Sequence, residues 1–114
     1  MHLSSRDLDI FLDIATEAAL AGGAVLQRYW GKLKDIQGKG RWGDLVTEAD
    51  IASEQAVLAV MQRHLPDHAI LAEESGLQQS AGDNPLLWAI DPLDGTTNYA
   101  HQYPFYAVSI GLFL

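Results

Sequence analysis

The chain has 114 residues, 48% of them hydrophobic, and a formal net charge of −8. That is enough for one small domain with a core, and it excludes disorder as the starting expectation. There are no cysteines, which excludes disulfides and thiolate metal sites; an acidic surface also argues against nucleic-acid or anionic-membrane partners, unless clustered carboxylates hold cations that reverse the local sign.

The first residues are mostly polar, without a basic segment leading into an apolar run, so no signal peptide is expected. No run is long and apolar enough to suggest a membrane span, and a cytoplasmic location is the default expectation. Ser4 followed by Asp7 has the spacing of a capping box and predicts a helix start. Leu8, Phe11, Ala15, Ala18, Val25 and Tyr29 then recur on one helical face, with Gly22 on the same stripe and Gly31 as the stop. Residues 38–43 hold three glycines and two cations, Lys39 and Arg41, and predict a mobile loop. Short strands are expected on either side, around Leu33–Ile36 and Leu45–Val46.

A second helix should begin at Thr47 and end before Pro66, with Ile51, Leu58, Met61 and Leu65 marking its apolar face. His68–Ala72 and Leu86–Ile90 read as strands, separated by a largely polar loop over residues 76–85. From Tyr106 to Leu112 bulky and small residues alternate, which predicts a strand with one bulky face. The chain then stops at Leu114 inside an apolar run, as a fragment or a chain awaiting a partner would. His64 and His68 flank the Pro66-Asp67 turn and are expected at the surface. Trp88, Tyr99, Tyr103 and Phe105 are expected in a core or an interface.

The unusual feature is where the acids fall. Glu73 and Glu74 follow one apolar strand directly, and Asp91 and Asp94 follow another. If both strands end on one edge, four carboxylates converge there. Crowded carboxylates raise one another's pKa, and divalent cations remove that penalty. An all-oxygen donor set favours a hard ion, Mg²⁺ rather than Zn²⁺. Pro92 stiffens the backbone beside the Leu93 carbonyl, and Gly95 permits close approach. Thr96-Thr97-Asn98 can open a short helix whose N–H groups face an anion. By residue type alone, Asp91–Asn98 is either such a loop or a plain turn rich in turn-formers. An EF-hand fits poorly, because Leu93 and Gly95 fall where ligands belong. Asp50, three residues after Thr47, reads first as a helix cap and second as a catalytic group.

Asp91-Pro92-Leu93-Asp94-Gly95-Thr96-Thr97-Asn98-Tyr99-Ala100-His101 resembles the first signature of the inositol monophosphatase family, D-P-I/L-D-G-T-x-N-F/Y-x-H. Asp44 to Asp50 resembles the family's D-L-V-T-x-x-D segment, and Glu73-Glu74-Ser75 its G-E-E-S segment, with Ala72 in place of glycine. Tyr103-Pro104-Phe105 through Gly111 also fits, so the likeness covers nearly the whole chain. It implies an α+β fold, the N-terminal portion of a layered αβαβα sandwich, with residues 1–114 forming the metal-binding part of a larger domain. The family's W-D-x-A-A-G segment, whose aspartate completes the second metal site, has no counterpart in the chain.

The resemblance implies two or three Mg²⁺ ions. Glu73, Asp91 and the Leu93 carbonyl match ligands of the first, Asp91 and Asp94 of the second, and Glu73 helps to hold a third. Asp50 and Thr96, with Glu73, match the groups that aim the attacking water. The Gly95 and Thr96 amides match phosphate-binding groups, Lys39 a loop lysine, and Glu74 an acid that supports the ligands from behind. The implied reaction is hydrolysis of a small phosphorylated polyol or sugar, with inositol 1-phosphate first. Fructose 1,6-bisphosphate, histidinol phosphate and 3′-phosphoadenosine 5′-phosphate are the alternatives. A homodimer is implied for a full-length protein. The reading from another class is a truncated, non-catalytic dimerisation or partner module.

Overall fold

A computed structural model describes residues 2–38, 45–78 and 83–114. Helix α1 (Ser5–Tyr29) starts where the capping box predicts: the Ser4 hydroxyl accepts from the Asp7 amide, and Asp7 accepts from the Ser4 amide. Strands β1 (Ile36–Gly38) and β2 (Leu45–Thr47) pair antiparallel and form a small sheet. Helix α2 runs Glu48–His64. Strands β3 (Ala69–Ala72), β4 (Gly76–Gln78), β5 (Leu87–Asp94) and β6 (Ala107–Phe113) make a four-stranded sheet in the order β4-β3-β5-β6. A short helix, α3 (Thr96–Ala100), sits between β5 and β6. The α+β expectation is met.

Both long helices cover one face of the larger sheet. Ile14 and Ala18 of α1 and Val57, Val60 and Met61 of α2 pack on Ile70, Trp88 and Ile90. The expected alternation in β6 holds, with Val108, Ile110 and Leu112 turned to this core. Gly22 is buried where the two helices cross, and a Cβ there would lie 2.8 Å from Val57 Cγ2 and 2.9 Å from Ser53 Oγ. A second core gathers Leu26, Ala49, Leu93 and Tyr99, and the Tyr99 hydroxyl donates to the Leu26 carbonyl. Because side chains alternate along a strand, the opposite sheet face carries Leu71, Ala89, Ser109, Gly111 and Phe113, and Leu71 and Phe113 are exposed.

Several expectations change. The first short strand lies at Ile36–Gly38 rather than Leu33–Ile36. The loop expected from residue 76 begins instead with β4, because Gly76 at φ 82° turns the chain back so that Ala72 faces Gly76. Strand β5 does not stop at Ile90. It continues through Pro92 to Asp94, with a register irregularity against β6 that accommodates the proline. On α1, Leu8 is exposed, while Ile14 and Leu26 join the core.

On α2, Ile51 is exposed and the buried stripe is Ala49, Asp50, Ser53, Glu54, Val57, Val60 and Met61. His68 is partly buried, its Nδ1 accepting from the Trp88 indole N–H at 2.9 Å, and burial pushes its pKa below the ordinary value. His64 is at the surface, beside Glu17. Trp88 and Tyr99 are core residues, whereas Tyr103 and Phe105 are exposed and lie against each other, 4.9 Å between ring centroids. The expected loop cations Lys39 and Arg41 lie outside the described residues.

Candidate metal centre at the sheet edge

Strands β3 and β5 are parallel, with Ala72 opposite Ile90. The C-terminal end of β3 therefore lies beside the middle of β5, and the Glu73 amide donates to the Ile90 carbonyl at 3.2 Å. Glu73, just past β3, and Asp91, inside β5, stand at the same level, and their carboxyl groups are in hydrogen-bond contact. Asp91 is pushed up to about 7, first by burial, then by the hydrogen bond and charge of Glu73, with the Asp94 charge adding to both. The Leu93 amide, donating to Asp91 Oδ1 at 3.2 Å, pulls the other way. Two acids meeting without a cation must share a proton or repel.

A second arm of the site is built on the start of α2. Thr47 caps the helix, its hydroxyl accepting from the amides of Ala49 and Asp50. Asp50 answers it: Oδ2 accepts from the Thr47 amide at 2.9 Å and from the Thr47 hydroxyl at 2.6 Å. Its other oxygen, Oδ1, accepts from the Thr96 hydroxyl at 2.9 Å. That hydroxyl also lies 3.1 Å from the Leu93 carbonyl. The charged acceptor makes the stronger bond. Asp50 is thus both the expected cap and the partner of Thr96, 46 residues away.

Thr96 is set by Gly95, which caps α3 in the left-handed region at φ 92°. A Cβ on Gly95 would meet the Phe105 carbonyl at 2.8 Å, so both the conformation and the space call for glycine. The expected short helix opens at Thr96 as the Thr-Thr-Asn run suggests. Asp94, Gly95, Asn98 and Phe105 line a shallow depression beside it.

The structure thus brings Glu73 to Asp91 and Asp50 to Thr96, and ties Leu93 to both pairs. Asp94 is exposed at the end of β5, and Asp91 feels it through its charge. Among the described residues, no three acidic or imidazole side chains stand together as a ready metal cage. The pair nevertheless fits a hard cation, because it offers only oxygens and its crowding is relieved by positive charge. Two residues escaped sequence reasoning. The Ser53 hydroxyl donates to the Pro92 carbonyl at 2.8 Å, and Glu54 Oε1 accepts from the Glu74 amide at 2.8 Å. Their signal was position alone: they fall three and four residues after Asp50, on its face of the helix.

A sequence profile described as the inositol monophosphatase family matches residues 7–114. The chain is 60% identical over 111 residues to an inositol-1-monophosphatase of Synechocystis sp., covering 97% of this chain and 38% of that protein. It is 43% identical over 109 residues to a fructose-1,6-bisphosphatase/inositol-1-monophosphatase of Aquifex aeolicus, covering 94% and 40%. Among solved structures, an inositol monophosphatase from Anabaena (Nostoc) sp. superposes with a TM-score of 0.76 at 58% identity, over 95% of this chain and 36% of the other. The chain belongs to the inositol monophosphatase family. It spans about two fifths of the length of the curated relatives it matches.

Proposed function

We propose that this chain is the N-terminal, metal-binding part of a Mg²⁺-dependent phosphomonoesterase whose first substrate is inositol 1-phosphate. The observation that carries the reading is the contact of Glu73, at the end of β3, with Asp91 in the parallel strand β5, together with the Asp50–Thr96 pair tied to the same segment through Leu93. Family membership and the names of the relatives supply the reaction class. Glu73, Asp91, the Leu93 carbonyl and Asp94 would hold two or three Mg²⁺ ions, which when bound neutralise the ester phosphate and make water a stronger nucleophile.

The chain's own groups do the positioning. The Thr96 hydroxyl donates its proton to Asp50, which leaves its lone pairs to accept from a water and orient it. Asp50, buried and held by Thr47, keeps that hydroxyl from turning. Glu73 is assigned as a further acceptor for that water. The Gly95 and Thr96 amides are assigned to the phosphate, and no side chain caps that end of α3. Fructose 1,6-bisphosphate is the second substrate to assay, given the double name of the Aquifex relative. We expect a cytoplasmic homodimer for the full-length protein; no helix among the described residues is long and apolar enough to cross a membrane.

The test is phosphate release from inositol 1-phosphate by the full-length protein, with Mg²⁺ present or chelated. Turnover should require the ion, and Asp91→Asn should lower it by more than about a hundredfold. Near-normal hydrolysis by that variant would defeat the assignment.

A further inference from the structure

Three side chains on the first two turns of α2 are polar and almost completely buried: Asp50 at 1% exposure, Ser53 at 0% and Glu54 at 3%. At spacings of three and four residues they share one helix face. Each reaches a different segment of the sheet edge. Asp50 takes the Thr96 hydroxyl, Ser53 holds the Pro92 carbonyl, and Glu54 takes the Glu74 amide. Those three contacts fall beside the candidate ligands in sequence. Glu74 follows Glu73, Pro92 lies between Asp91 and Leu93, and Thr96 follows Asp94 and Gly95.

We propose that Ser53 and Glu54 are positioning residues that fix the distance between the Glu73 turn and the Asp91–Leu93 segment. The inference rests on the metal-centre reading given above. A helix packed on a sheet gains most by burying Leu, Ile or Val, and a buried carboxylate costs free energy unless it is well paired. Here the carboxylate of Glu54 meets the backbone of the turn that carries Glu73, and the hydroxyl of Ser53 meets the backbone of the strand that carries Asp91. The Glu73 turn is short, running from the end of β3 to the start of β4, and Glu54 ties its middle to α2. The same helix face thus holds both sides of the carboxylate pair, and a rigid helix transmits no slack between them.

The experiment uses the 114-residue chain and two readouts. One is amide hydrogen exchange at Glu74 without metal. The other is Mg²⁺ affinity by calorimetry. Glu54→Met keeps the volume and removes the acceptor, whereas Glu54→Gln keeps an acceptor oxygen. Glu54→Met should speed exchange at Glu74 and weaken Mg²⁺ about tenfold, the scale for groups that orient metal ligands, and Glu54→Gln should recover most of that loss. Val57→Ala, one turn farther along and away from the edge, should lower the unfolding midpoint and leave the affinity unchanged. Should Glu54→Met not fold, Ser53→Ala, which deletes one hydroxyl, carries the same expectation of weaker binding.

Faster exchange at Glu74 with wild-type affinity overturns this inference and leaves the metal reading standing. Weaker binding in Val57→Ala to the same degree also overturns it, because stability alone would then set affinity. A wild-type chain that binds no Mg²⁺ overturns both.

Discussion

The two arms of the candidate site are built from the same residue type and differ in how they are satisfied. Asp50 is buried, accepts three hydrogen bonds from Thr47 and Thr96, and faces no acid in those contacts. Asp91 is partly exposed, meets another carboxyl group, and is held near pKa 7 by burial and by that neighbour. One aspartate is spent on holding the fold in place. The other is left in a position that the fold alone does not reward, and a cation would. Strained electrostatics at one arm, braced by a fully paired arm next to it, is the pattern expected of a site in which charge is stored for a ligand.

The comparison breaks most directly at Asp50. Asp50→Ala strips the acceptor from the Thr47 amide, the Thr47 hydroxyl and the Thr96 hydroxyl at once. Three lost hydrogen bonds, one of them the return half of the capping box, should cost about 3 kcal/mol, read as a fall in the denaturant midpoint. Glu73→Ala in the crowded arm should leave the midpoint level or raise it. Equal losses at the two positions would mean that the arms do not differ.

Gly22→Ala should act more gently and reach both arms. The added methyl meets Val57 and Ser53 at under 3 Å, so α1 must move off α2. Overpacking of that kind costs about 1–3 kcal/mol, and the better helix propensity of alanine returns up to about 1 kcal/mol. A thermal melt should therefore show a net loss smaller than that of Asp50→Ala. An unchanged melting temperature would mean that the helix crossing is looser than its geometry.

Much of this arrangement was legible in the residues. Glu73 and Asp91 stood out as acids placed straight after apolar runs; only Glu73 sits at a strand end, since β5 runs on to Asp94, and parallel pairing of the two strands brings them together. The Ser4–Asp7 and Thr47–Asp50 spacings located both long helices, because a capping box is a local pattern. What the residues hid is the face of α2. There the usual rule inverts: Ile51 points to solvent while Ser53 and Glu54 are buried. Their partners are backbone groups 39 and 20 residues away, which no local pattern encodes. Strand β4 was missed because three residues with one apolar member carry no periodicity, and it forms only because Gly76 reverses the chain against β3. His68 was misread as a surface residue because its partner, Trp88, is supplied by the neighbouring strand.

The smallest expected effect is also the sharpest separation of the two arms, because it has the opposite sign. In the unfolded chain Asp91 ionises near its ordinary value of 3.8, while in the metal-free fold it ionises at about 7. Between those values the unfolded state has given up a proton that the folded state still holds, so stability falls as pH rises. The metal-free chain should therefore show a lower unfolding midpoint at pH 8 than at pH 5. Asp91→Asn removes the ionising group, so it should flatten that dependence and raise the midpoint at pH 8, even though it is expected to abolish turnover. Because Asp91 is partly exposed, water screens the repulsion and the gain should be well below the Asp50→Ala loss. Saturating Mg²⁺ should raise the wild-type midpoint at pH 8 and leave the variant where it was, since only the wild-type pair keeps the charge that a cation neutralises. A midpoint that climbs from pH 5 to pH 8 in the metal-free wild type would show that Glu73 and Asp91 are not crowded in solution.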